Sequence, residues 1–117
     1  MQIKFVRTHQ RAELPKRNHG NYNGLYGTHD TGFDIFACED TIIPGRGGCV
    51  VPTGIKVGYI TPGYWFRVES RSGLSFKYSI LAHPGIVDNG YTGDLGIKLY
   101  NHSDSEYHVK AGDRIAQ

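Results

Sequence analysis

The stretch Gly54-Ile-Lys-Val-Gly-Tyr-Ile60 alternates apolar side chains with glycine or polar ones, and Thr61-Pro62-Gly63 follows it directly. Alternation with a period of two is typical of a half-buried β-strand, and a Thr-Pro-Gly sequence is typical of a turn. The run from Tyr64 to Val68 predicts a second strand after that turn. This part of the chain therefore predicts β-structure rather than helix.

Other short apolar runs lie on both sides of this stretch and also predict strands: an opening run around Ile3 and Phe5, then Phe33 to Cys38, Cys49 to Val51, Leu95 to Tyr100 and Glu106 to Val109. Ser72 to Tyr78 is the one helical candidate, with at most two turns. Arg11 to Thr31 contains many turn formers and predicts a long surface loop. Regularly spaced short strands predict an all-β barrel or sandwich with at most one short helix.

The composition narrows the class of protein. The chain has 117 residues, 16 Gly, five Pro and a formal net charge of +2. This length predicts a single domain over residues 1–117, and the small charge argues against a nucleic-acid partner. Two cysteines make no disulfide framework, and neither a membrane segment nor a signal peptide is recognisable. We therefore expect a cytoplasmic or otherwise intracellular protein.

Four segments combine acids, glycines and hydroxyls, namely residues 31–37, 69–74, 85–93 and 111–117. Each has an ordinary structural interpretation when it is taken alone. Asp34 could hydrogen-bond a turn, Ser72 could cap a helix, and Asp88-Asn-Gly is itself a strong turn signal. The last segment could be a charged turn that enters a strand.

The same segments also allow phosphate chemistry. Arg71, Ser72 and Gly73 offer a planar donor fork, a hydroxyl and free backbone N–H groups, which suit phosphate oxygens. Asp88 can orient a water molecule as a general base, and Tyr91 follows it in the same turn. The six histidines are scattered without metal-ligand spacing, and no Walker-type loop is present.

The order of the four segments resembles the homotrimeric dUTPase family from about Leu14 to Gln117. The matching residues are Gly32-Phe33-Asp34-Ile35-Phe36-Ala37, Arg71-Ser72-Gly73-Leu74, Gly85-Ile86-Val87-Asp88 with Tyr91 and Gly93 and then Leu99-Tyr100-Asn101, and Gly112-Asp113-Arg114-Ile115-Ala116-Gln117. The resemblance implies a distorted jelly roll or β-barrel. It also implies hydrolysis of dUTP to dUMP and pyrophosphate, which controls the dUTP level and supplies dUMP for thymidylate synthesis.

The resemblance also implies roles for individual residues. Asp88 activates the attacking water, Asp34 reaches Mg²⁺ through water, and Tyr91 lies against the deoxyribose. The other residues implied in substrate binding are Arg71, Ser72, Gly73, Ala82, Gly85, Ile86, Val87, Gly96 and Gln117. The implied assembly is a homotrimer whose sites are shared between subunits.

The chain departs from the family pattern at three places. Ser70 stands where a Pro is common, a change from which we expect little consequence, and Ala82 stands where some members carry an Asn. The chain ends at Gln117, so we expect the C-terminal arm and its Gly-rich fifth motif to be missing.

Three other functions stay open. A dCTP deaminase is one, although Lys98 stands where that enzyme carries a Glu and Asp88-Asn89-Gly90 stands where it tends to have Asp-Pro-Gly. A non-catalytic nucleotide-binding or regulatory module of the same fold is another. The third is a structural jelly-roll domain with no small-molecule site.

Overall fold

The structure, a computed structural model, describes residues 1–19 and 29–117. This part of the chain forms strands and one helix. In chain order they are β1 Ile3–Arg7, β2 Lys16–His19, β3 His29–Phe36, β4 Thr41–Ile43, β5 Gly48–Ile60, β6 Phe66–Val68, α1 Ser72–Tyr78, β7 Ile80–Ala82, β8 Gly85–Val87, β9 Asp94–Asn101, β10 Tyr107–Val109 and β11 Arg114–Ala116. The expected all-β architecture with a single short helix is confirmed.

The largest sheet has four antiparallel strands in the order β1-β5-β9-β7. Smaller pairings complete the fold: β10 with β4, β3 between β11 and β2, and β6 with β8. Val51 and Ile55 on β5 and Leu99 on β9 are fully buried, so the alternation of these strands directs one face into the core. The core lies between this sheet and the smaller pairings.

Two sequence predictions need correction. Lys16–His19 forms strand β2, and β3 begins at His29, so the surface loop predicted from Arg11 to Thr31 is wrong for residues 16–19 and 29–31. The prediction for residues 20–28 lies outside the described residues. The runs Cys49 to Val51 and Gly54 to Ile60 belong to one strand, β5, rather than two.

Helix α1 has the predicted bounds. Arg71 is its N-cap residue with an extended backbone, and Ser79 ends it in the left-handed conformation at a φ of 59°. Leu74 is its buried residue and fixes the helix on the body of the protein. Among the described residues, no helix has the length and apolar character required to cross a membrane.

Candidate functional site

A pocket lies where β8 and β9 diverge. β8 pairs with β6, whereas β9 pairs with β5 and β7, so the two strands that flank the turn after Val87 belong to different ladders. The segment is therefore not the paired hairpin that its Asp-Asn-Gly sequence predicts. The gap forms a pocket of about 190 Å³ lined by Ile86, Val87, Asp88, Tyr91, Asp94, Leu95 and Gly96.

The turn from Asp88 to Tyr91 places a carboxylate and a phenol in the pocket wall. The Tyr91 N–H donates to the Asp88 carbonyl at 3.0 Å, which closes the turn. The Tyr91 hydroxyl donates to the Asp94 carbonyl at 2.8 Å and so fixes the ring. The phenol folds over Gly93, where an added Cβ would lie only 2.7 Å from the Tyr91 oxygen. The Asp88 side chain is exposed and open to solvent.

The wall of this pocket contains several residues that the sequence predicts for substrate binding. Ile86, Val87 and Gly96 line it together with Asp88 and Tyr91. Gly85 starts β8 opposite Val68 and is not part of the lining. The structure thus brings part of the third motif, Ile86 to Asp88 with Tyr91, together around one cavity, while the roles of these residues stay predictions.

A buried carboxylate and two arginines form a second cluster. Asp34 is buried on β3, and its Oδ1 lies 3.2 Å from Nε of Arg71. Its Oδ2 lies 3.1 Å from Nε of Arg114, but without the geometry of a hydrogen bond. Among the described residues, Oδ2 of Asp34 is the one buried side-chain oxygen or nitrogen that has no hydrogen-bond partner. This oxygen therefore keeps the capacity to accept a further hydrogen bond.

Sequence reasoning missed Arg114 as a member of this cluster. In the sequence Arg114 lies between Asp113 and Ile115 in the fourth motif, and this position does not indicate which side chain it contacts. In the structure its guanidinium also lies over the Phe36 ring, 5.6 Å from the centroid. Because its side chain is 45% exposed, it can reach both the buried Asp34 and a ligand at the surface.

Gln117 ties the end of the fourth motif to the residues that precede Arg71. The main chains of Glu69 and Gln117 exchange hydrogen bonds of 2.8 and 3.0 Å, and Nε2 of Gln117 donates to the Ser70 carbonyl at 3.2 Å. The Gln117 side chain packs over Gly32, where an added Cβ would meet its Oε1 at 3.1 Å. Gln117 therefore positions the Arg71 segment in this structure.

The Ser70 hydroxyl joins the segment before α1 to strand β7, while the small consequence expected for its replacement of a Pro stays a prediction. This hydroxyl accepts a hydrogen bond from the Ala82 N–H at 2.9 Å and lies 3.3 Å from the Ala82 carbonyl, to which it donates. The main-chain N–H of Ala82, a residue predicted to bind the substrate, is already used by this contact. Ser72 and Gly73 follow at the exposed start of α1, and nothing lies within 4 Å of an added Cβ at Gly73.

The pocket and the arginine cluster lie toward opposite ends of the β6–β8 pair. β6 and β8 are antiparallel, with Phe66 opposite Val87 and Val68 opposite Gly85. Asp88 follows one end of this ladder, whereas Arg71 follows the other. Asp88 is three residues from Gly85, which is about 10 Å along a strand. The pocket lining includes neither Arg71 nor Asp34.

The structure also brings His9, Cys38 and Glu39 within 4.8 Å of one another, a grouping that the scattered histidines of the sequence do not reveal. Nδ1 of His9 accepts a hydrogen bond from the Arg11 N–H at 2.9 Å, which leaves the proton of a neutral ring on Nε2. Nε2 lies 3.5 Å from the Glu39 carboxylate. This tautomer favours a hydrogen-bonded network over metal ligation by Nε2.

Two groups outside the pocket lining, Asp40 and Cys38, have shifted pKa values. The pKa of Asp40 is lowered, chiefly because the Ala111 N–H donates to its carboxylate at 2.9 Å. This bond fixes the turn that leads into the fourth motif. The pKa of Cys38 is raised by burial and secondarily by the charge of Glu39, so at neutral pH its thiol is protonated and a poor nucleophile.

Comparisons with known proteins agree with the resemblance to the dUTPase family. The dUTPase family model matches residues 25–117. The deoxyuridine 5′-triphosphate nucleotidohydrolase of Eremothecium gossypii is 48% identical over 87 residues, which covers 74% of this chain and 56% of the relative. The same enzyme of Oryza sativa is 43% identical over 115 residues, which covers 98% of this chain and 62% of the relative. The chain therefore spans little more than half the length of these relatives.

A solved structure shares the fold. A mutant dUTPase from phage phi11 of S. aureus, in which a structural Mg(II) ion is coordinated, superposes with a TM-score of 0.82 at 26% sequence identity. The match covers 100% of this chain and 88% of that one. The described strands and the single helix thus have the arrangement of a solved dUTPase.

Proposed function

This chain belongs to the dUTPase family, and we propose that it hydrolyses dUTP to dUMP and pyrophosphate. The proposal rests chiefly on the pocket of about 190 Å³ that has Asp88 and Tyr91 in its wall. The named relatives are deoxyuridine 5′-triphosphate nucleotidohydrolases, which supports this choice of nucleotide. Removal of dUTP would control its level, and dUMP would feed thymidylate synthesis.

Asp88 is the proposed general base. Its exposed carboxylate stands at the pocket wall, where it can accept a proton from a water that attacks the α-phosphorus in line with the leaving pyrophosphate. Such a base typically contributes about 10²–10⁴ in rate. Positioning of the phosphates and stabilisation of their charge would supply the remaining acceleration.

The pocket wall is proposed to select the base and the sugar. The main chain of Ile86 and Val87 would pair with uracil, and Gly96 on β9 lines the same pocket. The Tyr91 ring, held by its bond to the Asp94 carbonyl, would lie against the deoxyribose and exclude a 2′-hydroxyl. This is selection by steric exclusion, which rejects a competitor without strong attraction to the right substrate.

Arg71, Ser72 and Gly73 are the proposed phosphate ligands, with Arg114 as an additional cation. Asp34 fits an outer-sphere contact to Mg²⁺, because its buried Oδ2 still lacks a hydrogen-bond donor. Mg²⁺ keeps several of its waters and neutralises phosphate charge when it is bound. The protein itself would orient the arginines through Asp34, which lies close to Nε of each.

We propose a homotrimer with active sites shared between subunits. Within one chain the Asp88 pocket and the Arg71 cluster lie toward opposite ends of the β6–β8 pair. A complete site therefore requires the pocket of one subunit and the arginine cluster of another. Exposed apolar residues near the pocket, Trp65 and Ile86, offer area for such a contact.

One experiment tests the proposed activity. The protein is incubated with Mg²⁺ and separately with dUTP, dCTP, dTTP or UTP, and the products are identified. We expect pyrophosphate from dUTP alone, and we expect Asp88→Asn to bind dUTP while losing most turnover. Asp104→Asn, at an exposed pair with Arg46, is the matched control. Ammonia from dCTP would indicate a deaminase instead, and tight dUTP binding by an inactive parent would indicate a non-catalytic module.

A further inference from the structure

Asn89 makes two long-range contacts that its place in a turn does not require. Its side-chain amide donates to the Thr61 carbonyl at 3.0 Å and to the Tyr64 carbonyl at 2.8 Å. Both acceptors belong to the turn between β5 and β6, far from Asn89 in sequence. Asn89 itself is not part of the pocket lining. One amide thus links two separate turns.

The turn that receives these bonds is anchored to the body of the protein. The Thr61 N–H donates to the Gln2 carbonyl at 2.9 Å, and the Gln2 N–H donates to Oγ1 of Thr61 at 2.7 Å. The Tyr64 N–H closes the turn by donating to the Thr61 carbonyl at 3.2 Å. Asn89 therefore bonds to a segment whose position is fixed by strand β5 and by the chain just before β1.

The turn from Asp88 to Tyr91 has few other restraints. Because β8 and β9 pair with different strands, no ladder joins its two flanks. The closing bond from Tyr91 to Asp88 and the bond from Tyr91 to Asp94 are internal to the segment. They fix its shape, while the β6–β8 and β5–β9 ladders hold its two flanks at Val87 and Asp94. The two bonds from Asn89 attach the middle of the turn to the segment between β5 and β6.

We propose that Asn89 is a positioning residue that sets where Asp88 and Tyr91 stand in the pocket wall. The inference rests on the proposed function. A carboxamide suits this place because one NH₂ group carries two donors for two carbonyls. An aspartate at 89 has only acceptors when it is ionised and would face both carbonyl oxygens. An alanine would leave the Tyr64 carbonyl to water and the Thr61 carbonyl with the Tyr64 N–H as its donor.

The test compares Asn89→Ala and Asn89→Asp with the parent. Thr92→Ala, which removes an exposed polar side chain from the same loop, is the matched control. The first measurement is amide hydrogen exchange at Tyr91, read by NMR, because it needs no nucleotide. We expect exchange to accelerate by about tenfold in Asn89→Ala and more in Asn89→Asp. Unchanged exchange in both Asn89 variants would overturn the proposal.

The second measurement is kcat/KM for dUTP and for UTP, together with the melting temperature. We expect kcat/KM for dUTP to fall by about tenfold in Asn89→Ala, and the preference for dUTP over UTP to narrow, with little change in melting temperature. A lower melting temperature with unchanged kcat/KM and preference would overturn the positioning role. A parent without dUTP turnover would instead refute the proposed function. The exchange measurement alone would then test whether Asn89 positions the turn from Asp88 to Tyr91.

Discussion

Replacing Asp34 with asparagine tests the buried cluster that holds Arg71 and Arg114, the proposed phosphate ligands. The carboxylate is nearly inaccessible, and Nε of Arg71 and Nε of Arg114 lie 3.2 and 3.1 Å from its oxygens. An asparagine would remove the negative charge between two cations and could place an NH₂ donor against a guanidinium. We therefore expect a loss of stability and a change in the position of Arg71.

The size of the loss follows from burial and exposure. Each charge pair is worth about 4 kcal/mol before desolvation at an effective dielectric constant near 20, and breaking a fully buried pair costs about 3–5 kcal/mol. Arg71 and Arg114 are 28% and 45% exposed, so solvent screens both cations. We expect the free energy of unfolding to fall by about 2–3 kcal/mol. For 117 residues this corresponds to about 8–12 °C in melting temperature.

The assay is thermal and urea unfolding of the parent, Asp34→Asn and the control Asp104→Asn. Asp104 makes a closer contact, 2.7 Å to Nε of Arg46, but the two side chains are 85% and 68% exposed. Exposed pairs contribute little, so the control should unfold close to the parent. Equal midpoints for the two variants would refute the reasoning, because burial of the Asp34 carboxylate would then add nothing.

Three further changes probe other contacts. In Gly93→Ala the new Cβ would lie 2.7 Å from the Tyr91 oxygen and displace the ring. We therefore expect the preference for dUTP over UTP to fall by about fivefold. An unchanged preference would contradict the proposal that the Tyr91 ring excludes a 2′-hydroxyl. Asp40→Asn should lower the melting temperature at pH 7. The Ala111 N–H lowers the pKa of Asp40, so the stability that this ionised carboxylate contributes is present above the ordinary pKa of 3.8 and is lost as pH falls through the lower folded pKa. A difference in melting temperature between variant and parent that persists in acid would contradict this. Ser79→Gly should add about 0.5–1 kcal/mol by urea unfolding, because Ser79 has a φ of 59°; a loss would show that its side chain matters more than its backbone.

Local sequence patterns predicted helix α1 with its observed bounds, but they divided strand β5. Pro52, which donates no ladder hydrogen bond, lies between the two runs that the sequence predicts. In the structure Pro52 lies opposite Gly96, the register shifts between Pro52 and Lys56, and Gly54 adopts a φ of 68° within the irregularity. A bulge of this kind is set by the neighbouring strand, so the sequence of β5 alone does not predict it.

In the candidate site, too, the sequence predicted local features but not contacts between distant segments. Asp88 and Tyr91 were predicted together because one turn carries both. The contact of Asp34 with Arg114 was not predicted, because it depends on the pairing of β3 with β11. Asn89 was read as a turn former, and its bonds to another turn depend on the divergence of β8 and β9. Sequence patterns thus identified residues close together in the chain but not the contacts made by the tertiary fold.

The geometry of the β6–β8 pair leads to a last prediction about assembly. If the Asp88 pocket and the Arg71 cluster of one site come from different subunits, two inactive variants can complement each other. Asp88→Asn and Arg71→Ala should each lose turnover alone, whereas subunits mixed equally and reassembled should regain it. With random assembly, about a quarter of sites would combine an intact Asp88 with an intact Arg71 from its neighbour. Recovery near that fraction of parental dUTP turnover is the expected result. No recovery in a mixture shown by mass spectrometry to contain both variants in one oligomer would place the base and the phosphate ligands within a single chain.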